Sequence, residues 1–438
     1  MANPHVVVVG GGFAGLRAVQ TLKRIPVDVT LIDCRNFHLF QPLLYQVATG
    51  GLSPANIATP LRYILKRQRN ARVLLGTVTD FDVDSHMVIA GTQQISYDFL
   101  ILAAGARSSY FGNPGWSKTA QSLKTIEDAT EIRAQILAAF ETAEKTAHPT
   151  EQRLELTFVI IGGGPTGVEL AGAVAELAKD TLRREFRGVR PEGTRILLIE
   201  AADRILPAYP QKASQIVAKQ LASLGVTVRP GCKVRDIRPN RVILERNGSS
   251  ETIESHTTLW AAGIRASSLG RLLADRMGAI LDESGRVKVQ MDLALPGHPN
   301  VFVIGDLACC QGKDDSPLPA LAPVALQQGR YIGRLIAARL RGEDRPPFQY
   351  KDRGNLATVG RSAAVGVFGR VVIGGFVAWL IWLFVHLMLL VRHENRVLVF
   401  VQWAFNYITR NRGARLITAS SRALEDETPD ANTPRATD

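Results

Sequence analysis

The chain has 438 residues, 46% hydrophobic and 21% charged, a mixture that excludes a fibrous or wholly disordered protein and leaves room for two or three domains with cores of their own. Four cysteines (Cys34, Cys232, Cys309, Cys310) show no C-x-x-C spacing, which excludes a disulfide framework and fits a reducing compartment. The formal net charge of +12 calls for an anionic partner, nucleic acid or membrane.

Location decides between them. Lys351, Arg353, Arg361, Arg370, Arg392, Arg396, Arg410, Arg412 and Arg415, against only Asp352 and Glu394, flank the most apolar segment of the chain. That arrangement favours a membrane surface over nucleic acid. No metal site is expected.

The chain opens without a charged leader and cleavage site, so no secretory signal is expected. His5–Val9 reads as a β-branched strand, followed by Gly10-Gly11-Gly12, a helix to about Arg24 and a second strand over Val27–Asp33. The pattern recurs. Leu156–Ile161 is a strand, Gly162-Gly163-Gly164 a turn, Thr166–Lys179 a helix and Arg195–Glu200 a strand. Phe99–Gly105 and Leu259–Gly263 each end in Ala-Ala-Gly, and Val301–Ile304 ends in Gly305-Asp306. A helix is predicted from about Ala322 to Leu340, with Pro346-Pro347 as a linker.

Val371–Val391 is a run broken only by Gly374, Gly375 and His386. At about 1.5 Å per residue it is long enough for a hydrocarbon core of about 30 Å, and taken alone it reads as a transmembrane helix. Over Arg396–Arg415, Phe400, Val401, Ala404, Phe405 and Ile408 recur at helical spacing before basic residues, which suits a helix lying in the interface. From about Thr418 the chain is polar and reads as disordered.

Gly10-x-Gly12-x-x-Gly15 follows a strand and opens a helix. The first glycine permits the tight turn, the second lets the backbone approach a pyrophosphate, and the third lets helix and strand pack closely. Free amides at the helix N-terminus favour the phosphates. Asp33 closes the second strand, where a carboxylate accepts from a ribose diol. One such match is weak, because glycines serve ordinary turns. Gly162-x-Gly164-x-x-Gly167 with Glu200 repeats it in full context, and two dinucleotides are the natural inference.

Gly305-Asp306 after a strand, combined with the N-terminal fingerprint, suggests a flavin stretched from Gly10 to Asp306. The internal fingerprint then takes the nicotinamide nucleotide. Glu200 followed by Ala201-Ala202 favours NADH, since a carboxylate welcomes a 2′-hydroxyl and repels a 2′-phosphate; Arg204 lies near enough to matter. The expected fold class is α/β, with two Rossmann-like dinucleotide-binding domains. The FAD-binding domain takes 1–120 with 265–345, the NADH-binding domain 121–264, a C-terminal helical membrane-association region 346–418, and a disordered tail 419–438.

The stretches FHLFQPLLYQVATGGLSPANIATPLR, YDFLILAAGARSSYFG, IIGGGPTGVELAGAVAEL, VFVIGDLA and LAPVALQQGRYIG resemble the type II (single-subunit, non-proton-pumping) NADH dehydrogenases, from residue 5 to about residue 418. The glycine fingerprints are shared by many flavoproteins; the FQPLLYQVATG stretch is more specific. The resemblance implies FAD on Gly10, Gly11, Gly12, Phe13, Ala14, Gly15, Asp33, Val78, Ala104, Gly105, Gly305, Asp306, Ala325 and Leu326. It places NADH on Gly162, Gly164, Pro165, Thr166, Gly167, Glu200 and Gly263.

Glu169 matches a family glutamate near the flavin and the substrates and is the candidate catalytic residue; its plainer reading is a first-turn acid favoured by the helix dipole. The family's quinone-side motif, usually Ala-Gln-x-Ala-x-Gln, here reads Ala-Pro-Val-Ala-Leu-Gln. Pro323 replaces the first glutamine, and the quinone candidates are Pro323, Gln327 and Gln46. The implied reaction passes hydride from NADH to FAD and then two electrons to a membrane quinone, without proton pumping. The implied setting is monotopic attachment to the cytoplasmic face of the inner membrane, as a homodimer. A soluble reductase of a protein acceptor and a sulfide:quinone oxidoreductase are the rivals. The first would not need the apolar C-terminal region, and the second needs a spaced cysteine pair.

Overall fold

Two sheets, one parallel throughout and one parallel but for an antiparallel edge strand, organise the chain in the computed structural model, which describes residues 3–312 and 314–418. The expected tail, 419–438, lies outside the described residues. In the first sheet, His5–Val9 lies between Asp28–Asp33 and Phe99–Leu102, with Ala71–Leu75 at one edge and His298–Val303 and Ala294–Leu295 at the other. Its four valines are buried on both faces, which explains a continuous β-branched run rather than an alternating one. The second sheet runs Ala120–Ser122, Thr257–Trp260, Thr157–Ile161, Arg195–Ile199, Val226–Arg229, all parallel.

The helices Phe13–Thr21 and Pro165–Glu176 follow the two fingerprints. The second continues as a π turn over Leu177–Thr181. The Ala322–Arg339 helix crosses the first fingerprint helix at very short range. A Cβ on Gly329 would lie 2.2 Å from the Ala14 carbonyl oxygen, and one on Gly333 2.6 Å from Thr21 Cβ. Two glycines one turn apart therefore let these backbones touch. Pro346-Pro347 is not a free linker: Tyr331 donates to the Pro346 carbonyl, and Phe348 is buried against the Tyr331 ring.

The Val371–Val391 run is not one helix. Val371–Gly375 is a strand paired with Ala364–Phe368, which pairs in turn with Asn355–Thr358. Gly375, at φ 75°, turns the chain into the Phe376–Leu389 helix. Fourteen residues reach only about 21 Å, and no helix among the described residues is long and apolar enough to cross a membrane. The reason is in the residues: Val371-Val372-Ile373 suit a pleated strand, and Gly375 takes a left-handed backbone that interrupts a helix. The following helix, His393–Thr409, lies beside it.

Each of these two helices buries one side against the protein and leaves apolar residues on the other. Ala378, Trp382, Leu390, Val399 and Trp403 join the core that also holds the second fingerprint helix. Phe376, Val377, Phe384, Val397, Leu398, Val401, Phe405 and Ile408 are exposed.

Candidate active site

The two glycine turns are built alike. The Gly11 amide donates to Asp33 Oδ2 at 2.5 Å and the Arg35 amide to Oδ1 at 2.7 Å. The Gly163 amide donates to Glu200 Oε2 at 2.6 Å and the Ala202 amide to Oε1 at 2.8 Å. Each strand-end acid thus fixes its own turn with one lone pair on each oxygen, leaving the others for a ribose.

The three glycines of each set do three different things. Gly10 and Gly162 hold φ of 106° and 110°. A Cβ on Gly15 would lie 1.9 Å from the Gly10 carbonyl oxygen, and one on Gly167 1.8 Å from that of Gly162. A Cβ on Gly12 or Gly164 would meet nothing within 4 Å. These last two face open space, and neither helix start has a side-chain cap, so its first amides are free for an anion. Pro165 occupies the first turn, and Pro165 and Thr166 are exposed.

Of the remaining flavin candidates, Gly305 packs against the helix of the first turn. A Cβ on Gly305 would lie 3.2 Å from Ala14 Cβ and 3.9 Å from Ala325 Cβ. Gly105 keeps φ 67° with open space where a side chain would stand. Asp306 faces Lys124 Nζ at 3.7 Å. Val78 is buried with Val9 and Ile32, and Ala104 packs at the edge of the same cluster. Phe13 and Leu326 line an open cavity with His38 and Met388. These residues fit a dinucleotide with an extended phosphate bridge.

On the second turn, Gly263 holds φ 68°, and a Cβ there would meet the Phe111 ring at 2.6 Å. Arg204 is not free to take a 2′-phosphate: its guanidinium donates to the carbonyls of Tyr209 and Pro207, both at 2.9 Å.

Glu169 lies on the second fingerprint helix. The Thr358 amide approaches its Oε1 at 3.4 Å, and burial pushes its carboxyl up to about 8. It retains some exposure in the structure while lying deep among protein atoms. Tyr45 and Tyr209 stand near enough to feel its charge. Burial pushes both phenols up, and Glu169 adds to the shift. Gln46 donates from Nε2 to the Tyr45 hydroxyl at 2.9 Å and accepts from Trp403 Nε1 at 2.7 Å.

Tyr45, Gln46 and Trp403 line an open aromatic cavity whose lining also includes Glu176, Trp379, Trp382, Tyr407 and Arg412. Arg412 donates to Glu176 at 3.1 Å, each side chain only 12% exposed. Burial lowers the guanidinium and raises the carboxyl, and each partner offsets the shift of the other. Tyr45, Trp382, Trp403 and Glu176 were not assigned to the site from the sequence, and Arg412 was read only as a basic residue facing the membrane. Only Tyr45, beside Gln46 in the most specific stretch, carried a signal.

The quinone-side motif is arranged differently from the expectation. Pro323 stands in the first turn of its helix. Both ends of the Gln327 amide are taken up by the Lys351 backbone, Nε2 donating to its carbonyl at 2.9 Å and Oε1 accepting from its amide at 3.0 Å. Its buried neighbour Gln328, also missed, accepts from the Gly305 amide at 2.7 Å. Of the three quinone candidates, only Gln46 lines the aromatic cavity.

Residues 4–329 match the model of the pyridine nucleotide-disulphide oxidoreductase family. The type II NADH:quinone oxidoreductase Ndh of Mycobacterium tuberculosis is 44% identical over 422 residues, covering 94% of this chain and 90% of that protein. This chain belongs to the type II NADH:quinone oxidoreductase family. A more distant member of the same layout, the mitochondrial internal alternative NAD(P)H-ubiquinone oxidoreductase A1 of Arabidopsis thaliana, is 29% identical and covers 93% of this chain and 84% of its own. The fold matches that of the Plasmodium falciparum NDH2 in complex with NADH, with a TM-score of 0.86 at 20% identity, over 95% of this chain and all of that one. The sulfide:quinone oxidoreductase of Aquifex aeolicus, at 20% identity and covering 97% of this chain and 95% of its own, shares the fold with a lower TM-score of 0.69.

Proposed function

We propose that this chain binds FAD on the first glycine turn and NADH on the second, and reduces a membrane quinone with the electrons of NADH. The observation that carries this reading is the continuity of the site: Glu169 on the nucleotide helix and its neighbour Tyr45 lead through Gln46 into the aromatic cavity beneath the two C-terminal helices. When bound, FAD supplies two-electron chemistry between a reduced nicotinamide and a quinone.

The chain's own residues position, exclude water and handle protons. Asp33 and Glu200 hold the ribose ends, and the free amides of the two helix starts hold the phosphates. Glu169, neutral at pH 7, holds a proton on its carboxyl where quinone reduction needs one. Gln46 and Tyr45 orient the quinone head. Gln327 acts as a latch between its helix and the Lys351 segment. Attachment is monotopic, on the cytoplasmic face of the inner membrane, through the exposed apolar sides of the Phe376–Leu389 and His393–Thr409 helices.

The test is steady-state oxidation of NADH and of NADPH by the FAD-loaded protein, with and without a short-chain quinone. Quinone-dependent oxidation of NADH, with NADPH poor, is the expected result. Reduction of the bound flavin by NADH with no turnover on quinone would overturn the acceptor and leave the two nucleotide sites standing.

A further inference from the structure

The positive charge around the apolar face is unevenly placed. At the end of the His393–Thr409 helix, Arg410 meets Asp180, Arg412 meets Glu176 and Arg415 meets Glu185. Three of the basic residues that the sequence assigns to the membrane surface are therefore neutralised by the protein itself.

The surface at the start of that helix differs. There the Leu61–Leu65 helix and the residues after it carry Arg62, Lys66, Arg67 and Arg69 with no acid among them. All four are exposed, and none has a carboxylate partner among the described residues. Tyr63 projects from this segment between two cations, Lys66 Nζ 4.0 Å and the Arg392 guanidinium 4.4 Å from its ring centre. Like charges on one ring repel unless an anion joins them.

The one acid present is Glu394, which is 59% exposed, pairs with Arg392 and accepts from the Tyr63 hydroxyl at 3.4 Å. It leaves Arg392 Nε buried and without a hydrogen-bond partner. Arg392 sits in the loop between the two C-terminal helices. Met388 and Leu389 on one side and Val397 and Leu398 on the other are between 41% and 63% exposed.

We propose that Tyr63, Lys66 and Arg392 form a site for the phosphate of an anionic phospholipid, whose acyl chains lie along Met388 and Leu389. This rests on the membrane attachment above. Lys66 and the Arg392 guanidinium donate to the phosphate oxygens, and the phosphate takes the place of Glu394 on Arg392. The other exposed cations of the segment raise the local concentration of anionic lipid.

The test is co-sedimentation of the full, FAD-loaded chain with vesicles of phosphatidylcholine alone and of phosphatidylcholine mixed with phosphatidylglycerol. The protein is expected to prefer the mixed vesicles. Lys66→Gln with Arg392→Gln should reduce that preference about tenfold. Lys233→Gln with Arg241→Gln removes the same formal charge from exposed positions on the separate Lys233–Glu254 sheet and should leave it within about twofold. Glu394→Gln, which frees Arg392, should strengthen binding to the mixed vesicles. Equal binding of the unaltered chain to both vesicles, or equal loss in the two double variants, would overturn the phosphate site while leaving attachment intact. Binding to neither vesicle would overturn attachment as well.

Discussion

Glu169 shows what burial does to a helical carboxyl: it lies beyond the first turn of its helix, so desolvation and not the helix dipole sets its titration. With its carboxyl near 8, it is neutral at pH 7 and ionises as the pH rises further. Quinone-dependent turnover is therefore expected to fall above about pH 8. Glu169→Gln should slow turnover throughout, keep its FAD and abolish that limb; full activity in this variant would remove the residue from the mechanism. The same shift has a consequence for stability. The folded value lies above the ordinary 4.5, so the contribution of Glu169 is complete below about pH 4.5 and is lost as the pH rises through about 8. Thermal melts of Glu169→Gln should gain on the unaltered protein across that window.

Glu200 tests the nucleotide preference at the same scale. Its two oxygens hold the Gly163 and Ala202 amides, and the Arg204 guanidinium is tied to carbonyls rather than free for a 2′-phosphate. Glu200→Gln keeps an acceptor and removes the repulsion. Kinetics on both nucleotides should show the NADH-to-NADPH ratio of kcat/KM falling about two- to fivefold, the scale of one lost charge contact. An unchanged ratio would move the source of the preference elsewhere.

Among the elements, the apolar run after Pro346-Pro347 is the instructive case. Its composition announced contact with lipid, but composition does not distinguish a span from a strand and a short helix. The outcome was set by the left-handed Gly375 and by the Ala364–Phe368 strand waiting to pair with Val371–Gly375. The helices that follow bury one side and leave the other apolar and exposed, an arrangement with an exposed face of their own to cover. Leu398→Gln, Val401→Gln and Phe405→Gln together touch only that outer side. Flotation with vesicles should show the variant released from membranes, while NADH oxidation with a soluble electron acceptor continues. Retained membrane binding would place the attachment elsewhere.

Across the whole molecule, the C-terminal region is part of the core rather than an appendage. Trp382 and Trp403 pack with the second fingerprint helix, Trp403 donates to Gln46, and Asn395 donates to the carbonyls of Ala55 and Asn56. Deleting 369–438 would strip these contacts and leave Glu176 without Arg412, so such a truncation tests folding rather than membrane attachment. The cost is measurable with one change. Arg412→Ala leaves a buried carboxyl without its cation and is expected to destabilise the protein by about 3–5 kcal/mol in denaturant titration. A loss below about 1 kcal/mol would class the pair with exposed surface bridges.

Both nucleotide turns were legible from residue order alone, because a strand, three glycines at fixed spacing and an acid at the next strand end interact within one local unit. The Gln327 latch was not legible, since its partner Lys351 lies 24 residues on; the strand at Val371 and the π turn rest on near neighbours, and an unbroken apolar run hid the hairpin that pairs Val371 with Phe368.

The order of residues by itself determined the two βαβ units, the identity of the acids that close them and the apolar character of the C-terminal region. The tertiary structure decided which charges near that region face outward and which are cancelled, what raises Glu169, and how Tyr45, Gln46 and Trp403 come to share one cavity. The reason is physical. Periodicity and turn chemistry act over a few residues, whereas desolvation and ion pairing depend on what the fold brings within a few ångströms from hundreds of residues away.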